Sequence, residues 1–509
     1  MDNLLLYFVI YTILTSFFFV SIVGYGKLFL FFIKTDYNVF ETYKNLNFIT
    51  GLIIVGFISL ILNFFTGLDD IISSIIILIG LFFYCINFFY LKKKSKEIKH
   101  ILIVSLIAVF VSFYTIPNDD FNYHFQTIIN FKKNLVFDIF HERRISYNSH
   151  WLLINSTYFL TFFPASIFII SSILYSGTLY DLNKRYKKNF NDSNSLILIY
   201  TALVLVFLVG VLNEIKEYGT DFTGQLILFY IIFLFLDFTL FKKFEDKKKI
   251  FFLILLLSFF SLSIKISNAL ILIVVFLIFL NIKKLNINKV LFYTLSTLPI
   301  FFWMTHNYII SDCIIWPIYQ LCFSNTQQAI NEMMFIEKFA KGDITGKHNI
   351  DGLLWITKWF ETHSKKILEV YGVYFVIILL PFLIFYFKNF KDKKIILHKL
   401  IEKINIRSTY FIFFIIIVLM NIIWFFKSPA YRFGVFYNLN LLLIIVSPLW
   451  FVIFDLNRNF CKKSIKYLLF FALIFFFINN FNKYNKYVDR YGYDWPNIIG
   501  DKLIEPVNN

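Results

Sequence analysis

Charge is scarce in this chain. Aspartate, glutamate, lysine and arginine together make up 16% of its 509 residues, while 59% are hydrophobic. Soluble globular domains carry about a quarter charged and about 45–50% apolar residues. Cysteine is rarer still, with four copies. Cys85 falls in an apolar block and Cys461 in a basic loop, which leaves Cys313 and Cys322 as a pair able to bond in oxidising surroundings. Two unpaired thiols are the simpler expectation. No Walker-type loop, zinc-ligand spacing, nucleophile elbow or dinucleotide glycine pattern occurs, so those chemistries have no footing here. The N-terminus has no basic leader and no small-residue cleavage site after Val23, so its apolar block reads as a retained helix. No internal repeat is visible.

What is present lies in blocks. Apolar runs cover 4–23, 71–90, 250–262, 411–426 and 467–479. A bilayer core about 30 Å thick takes about 20 helical residues to cross, and a water-soluble core could not hide so many such runs. Net charge is +17, which invites a nucleic-acid reading until its placement is considered. Basic residues collect in short stretches between apolar blocks: Lys92–Lys94, Lys184 with Arg185, Lys247–Lys249, and Lys393 with Lys394. A phosphate-binding surface would gather them on one face of a folded domain. Interleaved placement is instead the positive-inside pattern that orients membrane helices, and it excludes nucleic acid as a partner.

With the basic loops inside, the chain traces an all-α polytopic transmembrane helix bundle of about 14 spans. They lie near 4–23, 48–66, 71–90, 101–116, 151–172, 195–212, 222–241 and 250–263, then near 267–281, 290–305, 367–387, 408–426, 434–454 and 467–480. Residues 1–480 form one membrane domain with two sizeable outside loops, 117–150 and 306–366, and 481–509 form an outside tail.

Polar residues at the mouths of spans are costly and therefore candidates for function. The densest set is Pro117-Asn118-Asp119-Asp120-Phe121-Asn122-Tyr123-His124. Adjacent carboxylates beside a water-excluding pocket can raise one pKa, which suits a general base, or can hold a divalent cation together with His124. The plainer alternative is a helix cap by Asn118 or Asp119. Downstream, Arg143 and Arg144 offer planar forks for phosphate or carboxylate, with Asp138 or Glu142 as alternative partners. Tyr147, Asn148 and Trp151 follow, and Tyr147 and Trp151 also suit an interfacial aromatic belt. Three further points share that side: the acidic turn Glu214, Glu217 and Asp221; Lys265 between two short spans; and Arg432 after Lys427-Ser428-Pro429. Lys265 and Arg432 at that depth can neutralise a lipid phosphate or pair with Glu217 or Asp221, and Lys265 can also snorkel.

Taken in order, these motifs resemble the GT-C superfamily of membrane glycosyltransferases. More particularly, they resemble a group of large bacterial inner-membrane proteins of GT-C-like topology. The likeness rests on Asp119-Asp120-Phe121-Asn122-Tyr123-His124 and on Arg143-Arg144-Ile145-Ser146-Tyr147-Asn148-Ser149-His150-Trp151. Tyr218-Gly219-Thr220-Asp221, Lys265-Ile266-Ser267-Asn268, Ile315-Trp316-Pro317-Ile318-Tyr319 and Ser428-Pro429-Ala430-Tyr431-Arg432-Phe433-Gly434 add to it. Members usually carry the acidic loop after their first span, whereas three spans precede it here.

The resemblance implies a polyprenyl-phosphate sugar as donor and an envelope glycan, lipid or protein as acceptor. Catalytic roles would fall on Asp119, Asp120 and His124. Substrate binding would fall on Arg143, Arg144, Tyr147, Asn148, Glu217, Asp221, Lys265 and Arg432. It further implies the bacterial cytoplasmic membrane, with the active side outward. An O-antigen-type polymerase and a lipid-linked-glycan transporter are the two competing expectations.

Overall fold

The computed structural model describes residues 2–33, 45–91, 102–103, 105–106, 124–139, 147–191, 195–216, 218–240, 244–281, 290–324, 326–342, 353–389, 408–427 and 429–491. The described regular elements are all helical, and the two β-bridges are isolated ones at Leu160–Phe163 and Cys313–Cys322. In a bilayer each backbone N–H and C=O must be paired within the chain, and a helix achieves that segment by segment.

In chain order the helices are α1 (Asp2–Ile33), α2 (Leu46–Asn63), α3 (Asp70–Leu91), α4 (Gln126–Lys133), α5 (His150–Tyr158) and α6 (Ile169–Asn191). Next come α7 (Ser195–Gly210), α8 (Thr220–Leu240), α9 (Phe244–Ile264), α10 (Leu272–Asn281) and α11 (Val290–Ser311). The last are α12 (Thr326–Ala340), α13 (Trp355–Ile367), α14 (Val373–Lys388), α15 (Ser408–Lys427), α16 (Tyr431–Leu456) and α17 (Arg458–Tyr491).

Seven described stretches are long and apolar enough to cross a bilayer, and four shorter apolar helices join them. The protein is a membrane protein. Its layers follow from burial: the Pro164–Lys188 and Thr220–Phe238 stretches are 94% and 89% buried, so α6 and α8 form the centre. The Trp355–Lys388 and Arg458–Asn482 stretches are 22% and 28% buried, so α14 and α17 stand at the rim. Val376, Leu380, Phe470 and Phe471 project there as an apolar outer surface.

Lipid tails are as apolar as leucine, so helix association here relies on close backbone approach and polar contacts. Both occur. A Cβ on Gly26 of α1 would sit 1.9 Å from the Asn47 carbonyl oxygen of α2, so the two backbones meet where only glycine fits. The Tyr200 hydroxyl binds Asn440 Oδ1, joining α7 to α16, and Asn421 Nδ2 donates to the Tyr437 carbonyl at 3.0 Å, joining α15 to α16. Asp181 of α6 accepts from the Asn45 N–H at 2.9 Å and from the Tyr230 hydroxyl at 3.0 Å.

Lysine-rich helix ends gather at one end of the bundle. Arg185 of α6 forms a two-pronged pair with Asp237 of α8, at 2.7 and 3.2 Å, and Lys247 of α9 lies over Phe238. Phe385 near the end of α14 packs on Phe460 near the start of α17. The far end carries the starts of α8 and α16 and the ends of α9, α11 and α15.

Several expectations from sequence change. Lys184, Arg185, Lys187 and Lys188 occupy the last turns of α6 rather than a loop. Residues 151–172 are not one span: α5 stops at Tyr158 and a 3-10 turn, Pro164–Phe168, starts a new helix. Proline disfavours helical geometry at the residue before it, and Ser166 Oγ accepts the Leu160 N–H at 2.8 Å to hold the bend. Helix α1 runs past 23 to Ile33, and α17 runs past 480 to Tyr491. Finally, Cys313 and Cys322 are bonded rather than free thiols. A hairpin brings them together: Ile314 N–H donates to Leu321 O at 2.8 Å and Phe323 N–H to Asp312 O at 2.9 Å.

Candidate functional site

The far end is assembled around the start of α5. Ser149 takes an extended backbone before the helix, and its Oγ accepts the Trp151 N–H as an N-cap. The same hydroxyl donates to the Ile264 carbonyl at 2.7 Å, which stitches α5 to the end of α9. His150 Nδ1 lies 3.1 Å from Ser263 Oγ, and Trp151 Nε1 donates to the Tyr218 carbonyl at 3.0 Å. Asn148 has a left-handed φ of 39°, a conformation asparagine tolerates, and its carbonyl accepts Trp303 Nε1 at 2.8 Å. His124, buried just before α4, packs edge-on against the Tyr218 ring at 6.4 Å. Three of the motif segments therefore touch, and Ser149 ties them to Ile264, the residue before Lys265.

A charged cluster lies beside them. Asp221 stands in the first turn of α8, where an anion complements the helix dipole. Lys265 sits in the extended link after α9, and its ammonium is ion-paired with Asp221. Arg432 begins α16, where a cation opposes the dipole, and its Nε lies 3.6 Å from the other oxygen of Asp221. Phe433 is their common floor, 3.9 Å from the Lys265 ammonium and 5.3 Å from the Arg432 guanidinium. Lys265 and Asp221 are mostly covered, at 19% and 18% exposure, whereas Arg432 is 57% exposed. An exposed, long ion pair is worth little, so Arg432 gives up little in turning to an external anion. Glu214 and Glu369 act electrostatically on neighbouring Tyr431, so the surround is of mixed sign.

One family model, described as a domain of unknown function (DUF8201), matches residues 5–439. The chain belongs to this family. No curated protein and no solved structure matches it. The DUF8201 region takes in α1 to α15 and the first turns of α16, so it includes His124, Tyr147, Asn148, Asp221, Lys265 and Arg432.

Elsewhere in the DUF8201 region, Tyr147 donates its hydroxyl to buried Glu332 of α12 at 2.7 Å, fastening the segment before α5 to the disulfide hairpin and its neighbour Trp316. Lys132 anchors α4: its ammonium lies 2.8 Å from Asp70 and donates to Leu68 O and Ser73 Oγ, each at 3.1 Å. Burial pulls that ammonium below its ordinary pKa, and Asp70 opposes the shift. Asp119, Asp120, Arg143, Arg144 and Glu217 lie outside the described residues. Among the described residues no three His, Cys, Asp or Glu side chains group as metal ligands.

Sequence reasoning assigned no role to three contributors. Gln225 donates to the Arg432 carbonyl at 3.0 Å, and its spacing of four from Asp221 on a helix was the available signal. Phe433 adjoins Arg432 directly. Glu332 gave no signal, because its partner Tyr147 is 185 residues away.

Proposed function

We propose that the protein is a GT-C-like membrane glycosyltransferase of about 14 spans in the bacterial cytoplasmic membrane. It moves a sugar from a polyprenyl-phosphate donor to an envelope glycan, lipid or protein acceptor on the outer face. The observation that carries this reading is the convergence of Asp221, Lys265 and Arg432, from three separate motif segments, at the end opposite the lysine-rich helix ends. Arg432, exposed and held by Asp221 only across a long 3.6 Å pair, puts a cation at the mouth of apolar helices, suited to a phosphate on a lipid. The Cys313–Cys322 bond at the same end supports an oxidising, extracytoplasmic side.

In this reading the donor enters sideways from the bilayer and its phosphate meets Arg432 and Lys265. Asp119 or Asp120, with His124 nearby in sequence, takes the proton of an acceptor hydroxyl. The acceptor oxygen bonds to the anomeric carbon with inversion, the bond from that carbon to the phosphate oxygen breaks, and polyprenyl phosphate leaves. Arg143, Arg144, Tyr147, Asn148 and Glu217 complete the substrate contacts. Holding donor and acceptor in line supplies much of the rate. The test is the surface-glycan profile of a deletion strain. A missing sugar supports transfer, isolated single repeat units point to a polymerase, and an unaltered profile overturns the proposal.

A further inference from the structure

The first turns of α13 and the turn after it touch the bundle at one level. At its start Trp355 packs on Phe425 and Phe426, at 5.1 and 6.4 Å, near the end of α15. One turn on, Trp359 Nε1 donates to the Pro429 carbonyl at 2.6 Å. Beyond its end, Tyr371 packs on Tyr431 at 5.9 Å, the first residue of α16. Phe425 and Tyr431 flank a single turn, so they sit at similar depth. Helix from position 355 to position 371 covers about 24 Å. Running along the bundle axis, α13 would separate those contacts by that depth. It therefore crosses the end of α15 and α16 sideways. A π-turn, Leu368–Gly372, lies where α13 gives way to α14, and such turns re-aim helices.

The faces of this crossing helix are unlike. Trp355 and Trp359 are buried against the bundle, whereas Leu354 and Phe360 are exposed at 76% and 53%. Helix α12 returns over it: a Cβ on Gly342, whose φ is +97°, would meet Thr362 Oγ1 at 3.0 Å, and Lys341 lies over the Trp355 ring. Phe335 and Phe339, stacked on each other along α12, are exposed as well. This apolar surface continues onto the exposed Leu368, Val373 and Phe426 of the adjoining spans. Lys338, Lys365 and Lys366 punctuate the two helices, while exposed Glu337 and Glu361 are paired with Lys341 and Lys358. With buried Glu332 and exposed Glu369 included, five lysines stand against four glutamates among the described residues of α12, α13 and the turns after them, a balance positive by one.

We infer that α12 and α13 form an amphipathic strap in the bilayer interface, with Phe335, Phe339 and Phe360 at the acyl boundary and lysines at anionic lipid headgroups. A helix across the mouth of the spans, apolar on one face and basic on another, fits an anionic phospholipid surface. Through Trp359 it also holds the turn that carries Arg432. The inference does not depend on glycosyl transfer.

The test uses full-length protein with Cys85→Ser and Cys461→Ser, leaving the disulfide intact, in vesicles of phosphatidylethanolamine and phosphatidylglycerol. An environment-sensitive fluorophore is attached to single Phe335→Cys, Phe360→Cys or Lys358→Cys variants, and quenching by doxyl-labelled lipid is read. Severalfold stronger quenching at 335 and 360 than at 358, with blue-shifted emission, is the expected result. Aqueous emission at 335 and 360 overturns the inference. So does blue-shifted emission without lipid quenching, which would mean that protein covers the face.

Discussion

Asp221 and Lys265 are ion-paired across 44 positions of sequence, and Arg432 reaches the same carboxylate from a third helix. One acid thus holds one cation in a mostly covered pair while a second stays at the surface. Asp221 holds Lys265 in the covered pair, and the Arg432 guanidinium stands exposed beside it.

The pair should show as an energetic coupling. Lys265→Met should lower stability by about 1–2 kcal/mol, because Asp221 is left covered without its ammonium. Asp221→Asn with Lys265→Met should recover about 1 kcal/mol relative to the summed single variants. Thermal melts in detergent read this, and strictly additive losses would count against the pairing.

Arg432→Gln should behave in the opposite way. At 57% exposure the side chain adds little packing, so the melting temperature should stay within the shift of about 0.5 kcal/mol. Melting that falls as far as in Lys265→Met would give Arg432 a structural role instead.

Gly26→Ala should destabilise the contact of α1 with α2 by about 1–3 kcal/mol, since a Cβ would sit 1.9 Å from a carbonyl oxygen. Gly210→Ala is the control: its Cβ would meet Ala472 at an ordinary 4.0 Å, and its effect should be near zero. Equal melting of the two variants would contradict the packing described.

The cysteines can be counted directly. Unfolded protein should take two maleimide adducts before reduction, on Cys85 and Cys461, and four after it. Four adducts without reduction would mean that Cys313 and Cys322 are not bonded.

Apolar blocks made the helical membrane architecture legible, because lipid requires internally bonded helices wherever such runs occur. Motif order placed Lys265 and Arg432 on the side of Glu217 and Asp221, with pairing to either acid as one alternative, and the structure pairs both cations with Asp221. Local packing was not legible. The bend at 159–163 depends on a hydroxyl, Ser166, capping a backbone N–H that no periodicity reveals. The disulfide depends on hairpin bonds between positions 312 and 323. Glu332 found Tyr147 only through tertiary folding.

The most direct measurement is the surface-glycan profile of a deletion strain complemented with wild type, Asp119→Asn, Asp120→Asn or Arg432→Gln at equal membrane levels. Glycosyl transfer at this cluster requires that wild type restore the lost sugar, and that Arg432→Gln and at least one aspartate variant fail to do so. Full restoration by all three variants would contradict it.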